Sequence, residues 1–419
     1  MPSASPSHDR PVAGPDDLAC TPSVIFQSND ATTVLLDIPR SLEEAQVLPG
    51  ERPRRRIYSA SPRREPFLTP DPTSPRRRRH GSHSYSARLG AAAHHGPTQS
   101  PAAQIADLMT TASVEAALRV LEESYQGPFY LPRLSSAPPL GAEGQKKQHS
   151  GGQGGQNDGQ VDHVNQGNQE GPGNEVDHNG HDSQGDRDHD SPTSTIAVPE
   201  ATFLHGSIQN LRNTFHHRAP IFNLIVLDPP WPNRSARRRS AAYTPVRHLA
   251  EMRTLLTSIP VADHLARDGL VAVWITNKAS IPELLASSDG DSVFASWGVQ
   301  LAAEWIWLKI TADGKPLYDM ASVWRKPWEK ILIAKRIGAP TPPRLRSKVI
   351  VAAPDVHSRK PNLRGLLEQV LGDGDGRGDA QYCGLEVFAR NLTAGWWSWG
   401  DEVLHFQDRR YWADVSHEL

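Results

Sequence analysis

Four apolar runs in the second half of the chain, FNLIVL from Phe222, LVAVWI from Leu270, QLAAEWIWL from Gln300 and EKILIA from Glu329, are of strand length and almost free of polar residues. Such runs belong in a sheet covered on both faces, because a strand with one wet face shows alternation instead. ATFLHGSI from Ala201 and YCGLEVFAR from Tyr382 read as two further strands. Between the strands lie segments of helical spacing: YTPVRHLAEMRTLLTSIPVADHLARDG from Tyr243, with a glycine stop at Gly269, SIPELLASS from Ser280 and PNLRGLLEQVL from Pro361. This alternation predicts an α/β fold with a parallel, doubly wound sheet, helices on both faces, and ligand sites at the carboxyl ends of the strands.

The first half is of another kind. Residues 1–100 are rich in Ser, Pro and Arg and show no sustained period, which predicts a disordered arm. PAAQIADLMTTASVEAALRVLEESY from Pro101 has near-helical spacing and marks residues 101–140 as a short helical and extended lead-in. Residues 141–196 form a Gly, Gln, Asn, Asp and His tract with hardly an apolar residue, expected to be a flexible insertion. Its histidines lack the regular spacing of a metal site, and no metal is expected. The folded domain is then confined to residues 197–412. Nine of the 11 tryptophans fall in the last third of the chain and none in residues 1–230, which agrees with that placement.

Cys20 and Cys383, the only cysteines, cannot supply a thiolate zinc site and do not suit a disulfide-stapled secreted domain. The N-terminus lacks a signal-peptide core, and no run approaches the roughly 20 apolar residues that span a bilayer, so a soluble intracellular protein without a membrane partner is expected. A net charge of −2 does not make the whole chain a nucleic-acid binder by bulk electrostatics. Basic blocks at Arg52–Arg56, Pro62–Arg64 and Pro75–His80 nonetheless read as nuclear targeting or phosphate-binding elements. The expected location is the nucleus, with presence in the cytoplasm also compatible.

Asp228 follows the run NLIVL and so stands at a strand's carboxyl end, where such sheets bind ligands. Pro229 and Pro230 set their own φ angles and offer carbonyls without N–H donors, and Trp231 adds an aromatic face. A carboxylate, a free carbonyl and a ring suit a flat group with an exocyclic amine, such as a nucleobase, whose stacking is worth about 1–3 kcal/mol.

The tetrad and its surroundings resemble the Rossmann-like adenine N6-methyltransferases that carry the motif D-P-P-W, and within them the branch of methyltransferase-like protein four. VLDPPWPNRSARRRSAAYTP, WIWLKITADGKPL, RKPWEKILIAKR, HSRKPNL and LEVFARNLTAGWWSWGDEVLHF are similar to that branch's blocks in the same order, covering residues 201–406. FYLPRLSS from Phe129 is similar to the segment that leads directly into the first strand of the domain, which would make the polar tract an insertion.

The resemblance implies S-adenosyl-L-methionine as methyl donor and an adenine in nucleic acid, RNA or DNA, as acceptor. It further implies that Asp228, Pro229, Pro230 and Trp231 are catalytic. Lys360 would meet the donor's carboxylate, Arg390 and Asn391 its ribose with support from Glu386, and Asp401 and Glu402 its adenine, with Ser207 and Ile208 also lining the donor site. The chain departs from the pattern at Ser207, where relatives carry an acid, and at Asp401, where they carry Asn. Asn233, Arg234, Arg237, Arg238 and Tyr243 follow the tetrad as phosphate contacts and a stacking ring for the acceptor strand, and Arg325, Lys326 and Trp328 are expected to form the opposite wall. Two other readings fit less of the sequence: a catalytically silent, nucleic-acid-binding or partner subunit of a methyltransferase pair, and a nuclear scaffold. A protein partner is compatible with each.

Overall fold

The computed structural model describes residues 21–68, 101–135, 195–232, 248–287, 290–322, 325–372 and 383–415. Ten strands form one sheet: β1 (Val24–Gln27), β2 (Thr33–Leu36), β4 (Thr202–His205), β5 (Phe222–Leu227), β6 (Leu265–Ile275), β7 (Val299–Lys309), β8 (Trp328–Arg336), β9 (Lys348–Ala352), β10 (Gly384–Val387) and β11 (Trp397–Gly400). Their order is β1-β2-β9-β7-β8-β6-β5-β10-β11-β4. All neighbours are parallel except β1 with β2 and β8 with both β6 and β7. A separate pair joins β3 (Arg55–Ile57) to β12 (Trp412–Asp414).

Successive residues of the central strands point to opposite faces. Leu224, Val226, Leu270, Ala272 and Trp274 enter one core, which the helix Arg364–Leu371 covers through Leu366, Leu367 and Val370. Ile225, Leu227, Val271, Val273 and Ile275 enter the other, covered by the helices Ile208–Arg218, Leu249–Thr257 and Ser280–Ala286. The α/β class, the largely parallel sheet and the helices on both faces follow from these unbroken apolar runs.

The expected disorder of residues 1–100 does not hold for residues 21–68. β2 pairs with β9 and its Val34 and Leu35 are fully buried. The helix Ile38–Ala45 follows, with Asp37 accepting the Arg40 N–H as its N-cap and Pro39 in the first turn. The cluster Arg52–Arg56 is part of this folded segment: Arg55 pairs with Asp414 at 2.8 Å and Arg56 with Glu43 at 3.2 Å. The folded unit therefore does not begin at residue 197, and residues on both sides of the polar tract belong to it. Residues 141–194 of the tract, and the basic block Pro75–His80, lie outside the described residues, whereas Ile196, expected in the tract, is buried in the first core.

The lead-in forms one helix, Pro101–Ser124, which packs Val114, Ala117 and Leu121 against Leu35, Ile306 and Val349. Gly269 ends no helix; the second short helix stops at His264 and Gly269 lies inside β6.

Candidate active site

β5, β6, β7, β9 and β10 run in one direction and end at the same edge, where β8, antiparallel to β6 and β7, begins. That edge carries the functional side chains. Asp228 comes directly after β5, and its backbone N–H donates to the Val387 carbonyl at 3.4 Å, tying it to the end of β10. Lys360, from the loop after β9, donates from Nζ to Asp228 Oδ1 at 2.9 Å and lies 3.0 Å from Glu329 Oε2 at the start of β8. Lys309, the last residue of β7, closes the chain with an ion pair to Glu329. Four strand ends thus contribute to one line of alternating charge, and the Lys360 ammonium stands 4.9 Å from the Trp274 ring centroid.

Burial alone would raise the Glu329 carboxyl, but the Lys360 and Lys309 cations outweigh it and hold it down to about 2. Burial would lower the Lys360 ammonium, and Asp228 with Glu329 outweighs that and raises it. Glu386 on β10 has no such cation among the described residues: burial, reinforced by the Asp228 charge, pushes it up to about 8. Two carboxylates at one strand edge are thereby driven in opposite directions, Glu329 down and Glu386 up, as groups in active sites often are.

Asp228, Lys360, Glu386, Arg390 and Asn391 line one cavity with Trp274. Ser358 and Phe388, also in its wall, hold left-handed backbone at φ 64° and 60°. Such conformations cost of order 1–3 kcal/mol each in residues other than glycine, and they concentrate at sites where geometry matters more than stability. Arg390 pairs with Glu402 at 2.9 Å, bonds the Ser358 hydroxyl and lies 4.9 Å from the Phe406 ring.

Ser207, Ile208, Asp401 and Glu402 gather one step further along the sheet, at the ends of β4 and β11. Ser207 caps the helix Ile208–Arg218 by accepting the Asn210 N–H at 3.2 Å, and Ile208 is buried. The His205 ring meets the Asp401 carbonyl at 2.9 Å. Burial raises the Asp401 carboxyl, opposed by His205 and reinforced by Glu402. The Arg390–Glu402 pair joins this group to the cavity.

The acceptor-side expectations fare unevenly. Asn233, Arg234, Arg237, Arg238 and Tyr243 lie outside the described residues. Trp328 is 1% exposed and packs in the core with Leu308 and Val351, so it cannot face a nucleic acid; its aromatic bulk serves β8. Lys326 is taken up by Asp107 at 2.8 Å, which leaves Arg325 exposed. Trp231 is 8% exposed, lies in the second core and donates its indole N–H to the Trp274 carbonyl at 2.7 Å. Its ring fixes the loop after Asp228 in place of offering the open stacking face expected of it. Glu329 and Lys309 were missed by sequence reasoning, although a charged residue at the end of an apolar strand is a visible signal.

The MT-A70 family model matches residues 222–402. The chain is 43% identical over 94% of its length to the N6-methyladenosine RNA methyltransferase MTA1 of Cryphonectria parasitica, covering 94% of that protein. It is 39% identical to the protein of the same name from Pyricularia oryzae, over 94% of this chain and 97% of that one. The human N(6)-adenine-specific methyltransferase METTL4 is 33% identical over 53% of this chain and 45% of its own length. Identity of 43% and 39% along nearly the whole of two named enzymes, with the carboxylate and lysine assembled at one strand edge, has one meaning: the chain belongs to the MT-A70 family and is an adenine N6-methyltransferase.

Proposed function

We propose that this protein methylates the N6 amine of adenine in single-stranded RNA, with S-adenosyl-L-methionine as donor. The observation that carries the reading is Asp228, bridged to Lys360 at the carboxyl end of β5. The choice of RNA rests on the names of the relatives that match nearly end to end.

An adenine amine is a weak nucleophile because its lone pair is delocalised into the ring. Asp228 can accept one of its N–H groups, turn it toward tetrahedral geometry and stabilise the charge that develops on nitrogen, an electrostatic effect worth a few kcal/mol. The Pro229 carbonyl already accepts the Trp231 N–H at 2.8 Å, and its second lone pair remains for the substrate. Lys360 has three N–H donors; two meet Asp228 and Glu329, and one is left for a carboxylate.

The donor set fits S-adenosyl-L-methionine. Lys360 would hold its carboxylate, Asn391, Arg390 and Glu386 its ribose hydroxyls, and the acids at this edge suit its positive sulfonium, which supplies an electrophilic methyl group. A target base in a duplex would first have to leave the stack, which favours single-stranded substrate. The assembled charge line speaks against a silent subunit. Nuclear location is part of the proposal, supported by the basic block Pro75–His80.

Isotope-labelled donor incubated with the full chain and separate pools of RNA and DNA, followed by nucleoside mass spectrometry, tests the reading. Label in N6-methyladenosine from RNA is the expected result, and Asp228→Asn should lower the rate about 10²–10³-fold with donor binding retained. Label confined to DNA overturns the choice of RNA; no label in either pool overturns the function.

A further inference from the structure

With Trp328 buried and Lys326 paired, the surface beside Arg325 takes a form the sequence did not suggest. The Arg63 guanidinium lies 4.1 Å from the Phe67 ring centroid, and Phe67 stacks on Tyr318 at 5.0 Å with the ring planes 15° apart. Arg325 lies 5.8 Å from the Tyr318 centroid and donates from Nη1 to its hydroxyl at 3.3 Å. Four flat groups from two segments far apart in sequence thus form a ladder. Backbone bonds hold the segments together: Ala312 N–H donates to the Arg63 carbonyl at 2.7 Å, and Phe67 N–H to the Leu317 carbonyl at 2.9 Å.

The ladder stands on the loop between β7 and β8, whose two ends carry Lys309 and Glu329. It therefore rises from the sheet edge that holds Asp228 and Lys360. On its other side, residues 58–67 cross that edge from the loop after β9, where Ala60 N–H donates to Asp355 at 2.8 Å.

We propose that this ladder is a binding platform for the acceptor strand next to the target adenine. Its ligand is single-stranded nucleic acid, with bases on the flat groups and phosphates on the two guanidiniums. The proposal rests on the adenine methyltransferase reading above. A contact that only pinned one segment to another would bury its ring and pair its cations. Here Phe67 is 36% exposed, and Arg63 and Arg325 are exposed with no ion pair among the described residues. Two stacked rings flanked by guanidiniums attract any base through the planes left open at the ends of the ladder and any phosphate through their charge, which gives affinity without demanding a sequence. That suits the flank of a site whose specificity lies in the catalytic pocket.

Binding of a single-stranded, adenine-containing oligonucleotide by the full chain, in an RNA and a DNA arm across a salt series, tests this alongside calorimetric titration of S-adenosyl-L-methionine. Phe67→Ala with Tyr318→Ala should weaken oligonucleotide binding roughly 5- to 100-fold and leave donor affinity unchanged, and Phe67→Tyr with Tyr318→Phe should restore it. Arg63→Gln with Arg325→Gln should flatten the slope of log affinity against log salt by about 0.7 for each phosphate no longer bound. Unchanged affinity and slope in both pairs overturns the platform. Should the alanine pair lose donor binding through misfolding, the glutamine pair decides, and an unaltered slope there overturns it. Wild-type protein that methylates neither pool defeats the methyltransferase reading instead, so the two failures are distinguishable.

Discussion

At the scale of single residues, Lys360 is the junction of the site. It was expected to serve the donor alone, yet it also bridges Asp228 and Glu329. Lys360→Ala should therefore do more than weaken donor binding. Without the cation, Asp228 loses the partner that holds its carboxylate in place at the strand end. The kcat at saturating donor should fall in the variant along with donor affinity; an unchanged kcat would show that the bridge is incidental. Glu386 gives a second test. Its carboxyl keeps a proton to about 8 in the fold, against an ordinary value of 4.5. Between those values the folded state binds the extra proton, so this group's contribution to stability is present at low pH and is lost as pH rises toward about 8. Glu386→Gln removes the dependence, and its melting temperature should fall less than that of the wild type from about pH 6 to pH 9. Parallel melting curves across that range would contradict the buried, protonated state. Asp228 and the tetrad were legible because the motif is contiguous. Glu329 was not, because its role depends on a lysine delivered from another strand.

Among the elements, the segment 21–68 decides most. Ser41 Oγ, in the helix after β2, accepts the Asn362 N–H at 3.1 Å, and Arg359 reaches the Tyr58 carbonyl at 2.9 Å and Asp355 at 2.6 Å. Both contacts hold the loop that presents Lys360. The segment is thus a clamp on the active site as well as an edge of the sheet. Deleting residues 22–68 removes Val34, Leu35, Leu36, Ile38 and Leu42 from the core. Each such loss costs about 2–5 kcal/mol, and together they are as large as the 5–15 kcal/mol that typically stabilises a domain. The truncated chain should show no cooperative melting and no donor binding; retention of both would restore the view of a dispensable arm. TVLL and DIPRSLEEA carry the apolar run and helix cap that mark these elements, but four-residue strands vanish in a background of Ser, Pro and Arg. KVIVA and WSWG escaped for the same reason of length, whereas FNLIVL and LVAVWI were long enough to read.

For the molecule as a whole, the sheet draws strands from both sides of the polar tract, with β2 on β9 and β4 on β11. The tract is thus bracketed in sequence by residues of one folding unit, and its length should matter little. Replacing residues 141–190 with about ten Gly and Ser residues should leave methylation intact and raise stability by about 1 kcal/mol through a smaller closure entropy. Loss of the folded state on thermal melting would show that the tract contributes contacts of its own. By itself the sequence determined the α/β class, the strand that ends in Asp228 and the chemistry of D-P-P-W, because hydrophobic period and motif are local properties of the chain. Tertiary structure alone decided that Lys360, 132 residues from Asp228, completes the charge line with Glu329, that Trp231 and Trp328 turn inward, and that an apparent tail belongs to the core. The reason is physical: whether a charge is paired or a ring buried depends on which distant segments the fold brings against it, and no single stretch of chain carries that information.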